Sequence, residues 1–238
     1  MQTLHLSRCY FDNHRREVVQ DLSNCESLHR RIMQVFPQHT PYGAGRTLDQ
    51  VLYRIEEVNQ RPALLVQSSH KADWEQLPAG YFLEEPHQIE ITAAYENLTI
   101  GQELRFRLLA NPSKRISEKN TDHAAMAGKR VELQREEDQL HWLQKKGQDH
   151  GFTLKTLDPH KQILAVEAQA LTKISGYKKI GDRRSTITLG TVLFEGRLQI
   201  TDLILFQNAL IQGIGHGKAY GCGLLSIAKL SPHMWDEP

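Results

Sequence analysis

Leu4 and Leu6 alternate with polar neighbours in "TLHLSRCY" (3–10), the period of two that predicts a strand. A polar stretch then leads into "LSNCESLHRRIMQVFP". Ser23 followed by Glu26 is a capping-box pattern, and Pro37 marks the end, so a helix is predicted over 24–36. Its apolar stripe is Cys25, Leu28, Ile32, Val35 and Phe36. "QVLYRIEEV" and "PALLVQSS" read as two strands joined by a short "NQR" turn. After a loop rich in aromatics and prolines, "QELRFRLLANPSKR" sets Leu104, Phe106 and Leu108 on one strand face and Arg105, Arg107 and Leu109 on the other. "NP" at 111–112 stops that strand.

The second half begins with a helix in "LQREEDQLHWLQKKGQDHG". Strands follow at 152–157, 162–173 and 186–200, then a helix at about 203–212, a glycine-rich loop and a last strand "LLSIAKL". Both halves approach a βαββαβ order, the first with its second helix short or lost. The expected class is α+β, with two tandem ferredoxin-like (RRM-like) domains. Residues 1–112 form the first and 132–238 the second, and 113–131, polar and small, read as a linker or mobile loop. The segment "TKISGYKKIGDRR" (172–184) lies between two long strands and should tip a projecting hairpin.

Composition narrows this picture. With 39% hydrophobic and 24% charged residues, the chain reads as an ordinary soluble globular protein. It shows neither a run approaching the roughly 18 apolar residues of a membrane span nor the apolar core of a signal peptide. Cys9, Cys25 and Cys222 make no CxxC pair and suit a reduced, cytoplasmic protein. Net charge is only +1, which argues mildly against a nucleic-acid partner; its distribution argues the other way. Lys173, Lys178, Lys179, Arg183 and Arg184 crowd the hairpin segment around one acid, Asp182. A second basic stretch holds Arg105, Arg107, Lys114, Arg115, Lys119, Lys129 and Arg130.

"QGIGHGKAYGCGLLSI" (212–227) concentrates five of the chain's 16 glycines, Gly213, Gly215, Gly217, Gly221 and Gly223. It is not a P-loop: Lys218 is followed by Ala219, the upstream glycine spacing is wrong, and the order is helix, loop, strand. The dinucleotide fingerprint fails equally. Glycine serves tight turns and close approach alike, so two readings stay open. One is a structural turn; the other is a loop whose amides, with Lys218, face phosphate oxygens. His123, His141, His150 and His160 show no metal-ligand spacing, so no metal or cofactor is expected.

Together "GIGHGKAYGCGLLSIAKL", "VLFEGRLQITD", "LRFRLLANPSKR…AGKRV", "HWLQKK" and "GF" resemble the CasE family of CRISPR repeat-processing endoribonucleases. The resemblance runs from the first strand to the last. It implies two tandem ferredoxin-like domains and metal-independent cleavage of CRISPR repeat stem-loop RNA to mature crRNA. The substrate's 2′-hydroxyl would attack, leaving a 2′,3′-cyclic phosphate and a 5′-hydroxyl. It also implies retention of the product hairpin and partnership with other subunits of a surveillance complex.

Carried onto this chain, the family's catalytic histidine matches His29 in "ESLHRRIMQVFP". From the residues alone, His29 lies at the edge of the apolar stripe, where packing is the ordinary role. Its chemistry fits proton transfer near neutrality, and Lys218 is the candidate to stabilise the developing charge. The family's tyrosine three residues earlier is replaced here by Glu26, also read as a helix cap. A carboxylate there would favour His29 as general acid, or the tyrosine would come from elsewhere, Tyr10 or Tyr220. The resemblance makes the basic hairpin an RNA grip through phosphates, with Lys114, Arg115, Lys129 and Arg130 extending the footprint. Two alternatives stay beside this reading: a catalytically inactive RNA-binding scaffold of the same fold, and a small-molecule-binding ferredoxin-like protein with a structural glycine loop.

Overall fold

The computed structural model describes residues 2–37, 50–116, 128–158, 160, 163–181 and 183–230, including the backbone but not the side chains of 180 and 183. The first sheet is four-stranded and antiparallel, in the order β2-β3-β1-β4. These are β1 (His5–Tyr10), β2 (Leu52–Val58), β3 (Arg61–Ser68) and β4 (His87–Glu90). Two helices, α1 (Arg16–Leu22) and α2 (Cys25–Met33), pack on it. The β2–β3 hairpin closes in two residues, Asn59 and Gln60, both with positive φ, the turn geometry that matches strand twist.

β1 and β3 are buried on both faces. Cys9, Phe11, Leu64 and Val66 meet the α1–α2 side, while Leu4, Leu6, Leu65 and Gln67 face the second half. The alternation of Leu4 and Leu6 therefore points toward the neighbouring unit rather than toward the helices. Between β3 and β4 stands a single 3₁₀ turn, Trp74–Gln76, where a full ferredoxin-like unit has its second helix. Thr92–Glu96 (α3) follows β4.

The second sheet is five-stranded, β11-β12-β5-β13, with β8 also on β12. It comprises β5 (Glu103–Ala110), β8 (Phe152–Leu154), β11 (Val166–Ile180), β12 (Arg183–Ile200) and β13 (Leu225–Lys229). α4 (Glu136–Asp149) and α5 (Leu203–Gln212) supply Leu143, Phe206, Ala209 and Leu210 against Leu104, Phe106 and Leu108. The repeated βαββαβ architecture thus appears as expected, but its division differs. β5, counted from sequence with the first half, pairs with β12 and β13 and opens the second unit. The first unit's fourth strand is β4, from the segment read as loop, so the boundary falls ahead of Glu103. The supposed linker also changes: its ends form a paired ribbon, β6 (Ser113–Arg115) with β7 (Arg130–Glu132), and 117–127, with Lys119 and His123, lie outside the described residues. β9 (Thr156–Asp158) and β10 (Ile163–Leu164) make a small outlying pair.

The units are joined through a buried guanidinium. Arg54 on β2 is 2% exposed. It donates to Glu56 Oε1 at 2.5 Å, to the Leu224 carbonyl at 2.9 Å and to Ser226 Oγ at 2.9 Å. Arg107, also on Glu56 at 3.4 Å, continues to Glu195 at 2.7 Å. Burial pushes the Glu56 carboxyl up, but Arg54 and Arg107 outweigh it and hold it below its ordinary value. A buried charge stripped of its partner is strongly destabilising. Arg54→Met should lower stability by about 3–5 kcal/mol in urea unfolding; an unchanged midpoint would show that this network does not hold the units together.

Candidate active site at the junction of the two units

The site is built on the first turn of α2. Asn24, not Ser23, caps this helix: its side-chain oxygen accepts from the Glu26 amide at 3.2 Å. Ser23 instead closes α1, its hydroxyl donating to the Gln20 carbonyl. The sequence reading missed α1, whose short length and polar composition gave no stripe, and so set the cap one residue early. Cys25, Leu28 and Ile32 are buried as the stripe requires. Glu26 is only 7% exposed, and His29 is half-buried one turn on.

Two parts of the second unit close on that turn. One is the long β11–β12 hairpin. The same Asn24 oxygen accepts from the Tyr177 amide at 3.2 Å. A Cβ on Gly176 would collide with Asn24 Oδ1 and the Cys25 amide, so β11 approaches the helix as closely as backbone allows. The other part is the glycine loop. All five of its glycines have positive φ. Gly217 (φ 77) and Gly221 (φ 88) are left-handed and bracket a 3₁₀ turn, Lys218–Tyr220. The loop is folded on itself by Ile214 N–H to the Gly223 carbonyl at 2.9 Å and tied to β5 by Gly223 N–H to the Leu109 carbonyl at 2.7 Å. Tyr53 of β2 donates to the Ala219 carbonyl at 2.7 Å, which pins the turn to the first unit.

That turn presents Tyr220. Its hydroxyl donates to Glu26 Oε2 at 3.1 Å, and its ring meets the His29 ring edge-on, with centroids 6.1 Å apart. Of the two tyrosines weighed from sequence, Tyr220 is at the site, and Tyr10 lies on β1 opposite Ala63. Glu26 is therefore more than a helix residue: its carboxylate receives a hydrogen bond from the other unit. Cys25 and Cys222 are buried nearby; burial raises both thiols, Cys222 to about 12, so neither is a nucleophile at neutral pH.

Lys218 shares the turn with Tyr220. Its charge acts on His216 and His150, and so does that of Lys146 on α4. Burial lowers the His216 imidazole first, and Arg130, Lys146, Lys218 and Arg115 add to it. A cationic cluster thus gathers at the loop from the β6–β7 ribbon, α4 and the turn. Arg115, Arg130 and Lys218 were singled out from sequence, whereas Lys146 and His216 were not, and His150 was weighed only as a metal ligand and set aside. Nothing in "LQKKGQDH" singles out Lys146 or His150 before the fold brings that segment to the loop.

The remaining basic candidates divide. Lys114, Lys129, Lys178 and Lys179 are exposed on the ribbon and near the hairpin tip. Arg184 lies over the Tyr177 ring at 4.5 Å. Lys173 pairs with Glu132 at 3.3 Å, and Arg107 is engaged in the inter-unit network. The strands run further toward the tip than predicted, β11 to Ile180 and β12 from Arg183; the Arg183 side chain and Asp182 lie outside what is described.

A family model described as CRISPR associated protein matches residues 4–229. The CRISPR-associated endoribonuclease Cse3 of Thermus thermophilus is 32% identical over 217 residues, which is 90% of this chain and 94% of that protein. The CRISPR system Cascade subunit CasE of Escherichia coli K12 is 37% identical over 136 residues, 56% of this chain and 61% of that one. A solved structure of the CRISPR endoribonuclease Cse3 bound to a 19 nt RNA superposes with a TM-score of 0.74 at 29% identity, covering 96% of this chain and 99% of that one.

Asn24 holds both its own helix and the hairpin. Asn24→Ala should cost about 1 kcal/mol of stability and speed hydrogen exchange at the Tyr177 amide. Unaltered protection of that amide would mean the hairpin is held by other contacts.

Proposed function

We infer function from membership and geometry together: the chain belongs to the CRISPR associated protein family that includes Cse3 and CasE, and it is an endoribonuclease acting on CRISPR repeat stem-loop RNA. One relative is named an endoribonuclease and another a Cascade subunit. This chain accordingly cuts repeat RNA to mature crRNA, keeps the product hairpin and joins a surveillance complex. No described helix is long and apolar enough to cross a membrane, and a cytoplasmic location belongs to this reading.

The observation that carries the catalytic part is the meeting of α2 with the 218–220 turn, which puts His29 against Tyr220 beside a cationic loop. In such a site the 2′-oxygen attacks the adjacent phosphorus while the bond to the 5′-oxygen breaks. The products are a 2′,3′-cyclic phosphate and a 5′-hydroxyl. His29 moves a proton, a contribution of roughly 10²–10⁴-fold, and Lys218 offsets charge on the phosphorane. Outside the reacting atoms, Lys178, Lys179, Arg183 and Arg184 on the hairpin, with Lys114, Arg115, Lys129 and Arg130, track stem phosphates. Lys173 joins them by exchanging Glu132 for phosphate. Binding of this kind weakens steeply as salt rises.

Single-turnover cleavage of the repeat stem-loop in EDTA tests the reading. Wild type should yield a cyclic-phosphate product, and His29→Ala should be slower by about 10²-fold or more with hairpin affinity retained. Tight binding without cleavage by wild type would make the chain a scaffold; equal rates for both proteins would remove His29 from the chemistry.

A further inference from the structure

The Glu26–Tyr220 contact joins side chains 194 positions apart, and nothing in the folding of either unit alone requires it. Glu26 sits in the first turn of a helix, where unpaired backbone N–H groups favour negative charge. Its carboxylate is nearly buried yet receives a proton donor from a half-buried tyrosine. A phenol that donates its hydrogen can still accept one on the same oxygen. His29, one helical turn along, stands at the edge of the same ring. An imidazole and a carboxylate–phenol pair are thus set side by side as two separate groups, as a reaction that needs one proton removed and another supplied requires.

We propose that Glu26 and Tyr220 form the general-base dyad of the cleavage reaction, with His29 as the general acid. The inference rests on the reading that RNA is cut beside His29. The 2′-hydroxyl gives its proton to Tyr220 Oη as Tyr220 passes its own to Glu26 Oε2. The 2′-O–P bond forms, the P–O5′ bond breaks, and the leaving 5′-oxygen takes the proton of the His29 imidazolium. Glu26 ends as the carboxylic acid and His29 as neutral imidazole, and exchange with water returns both to their starting forms. Each half of the dyad comes from a different unit, so the base exists only when the two are docked.

The test compares wild type, His29→Ala, Tyr220→Phe and Glu26→Gln on the repeat hairpin. A second substrate carries sulfur in place of the 5′-bridging oxygen at the scissile phosphate. A thiolate leaves without a general acid. On the oxygen substrate all three variants should be slower by about 10²-fold or more, with hairpin affinity near wild type. On the sulfur substrate His29→Ala should recover to near the wild-type rate, while Tyr220→Phe and Glu26→Gln stay slow. Rescue of Tyr220→Phe by sulfur, failure of sulfur to rescue His29→Ala, or a wild-type rate for Tyr220→Phe on oxygen would each overturn the assignment. So would a loss of hairpin affinity matching the loss of rate. Absence of cleavage by wild type would instead defeat the underlying endoribonuclease reading, so the two failures are distinguishable.

Discussion

A single amide oxygen, Asn24 Oδ1, accepts one hydrogen bond from its own helix and one from the hairpin of the other unit. Around that atom the geometry of the candidate site is set. The helix cannot shift along its axis without losing its cap, and the hairpin cannot lift without leaving a buried acceptor half-satisfied. Gly176 permits the approach by having no side chain to collide with the helix. The helix that carries Glu26 and His29 is thereby fixed relative to the hairpin that carries the basic side chains. In the proposed reading α2 of the first unit and the 218–220 turn of the second share the chemistry while the second unit's hairpin grips RNA, and this junction sets the separation between cut and grip.

The glycine loop completes the arrangement from a second direction. Its left-handed residues let the chain leave α5, fold back on itself, turn tightly through Lys218–Tyr220 and enter β13. Tyr53 and the Arg54 network bind this region to the first sheet. The glycines therefore serve the turn itself, and through it they place a tyrosine and a lysine at the junction. The structural-turn reading describes what these glycines do in the fold, and the proposed contact of the loop amides and Lys218 with phosphate would be made from that same turn.

Legibility in the sequence followed periodicity. The stripe of α2, the alternation of β5 and the extent of α5 stood out because each element buries one face. β4 did not, since His87–Glu90 holds one isoleucine that stays exposed; its place is dictated by the open edge of β1. Without β4, β5 was the nearest candidate for a fourth strand, and the boundary moved with it. Nothing local reveals which sheet a strand will join. The same limit applies to the site. His29 was reached through resemblance, whereas the Glu26–Tyr220 pair follows from tertiary packing between residues that share no local pattern. Charge runs announced the hairpin, but not that Glu132 neutralises Lys173 or that Arg107 is spent between the units.

In the proposed function RNA is cut at the junction of α2 with the 218–220 turn. A structure of the protein with its repeat hairpin, carrying a 2′-deoxynucleotide at the attacking position to block cleavage, tests it most directly. The scissile phosphate should lie between His29 and Lys218, with the stem along the β11–β12 hairpin. A phosphate placed away from His29, with the stem on another face of the molecule, would contradict the account.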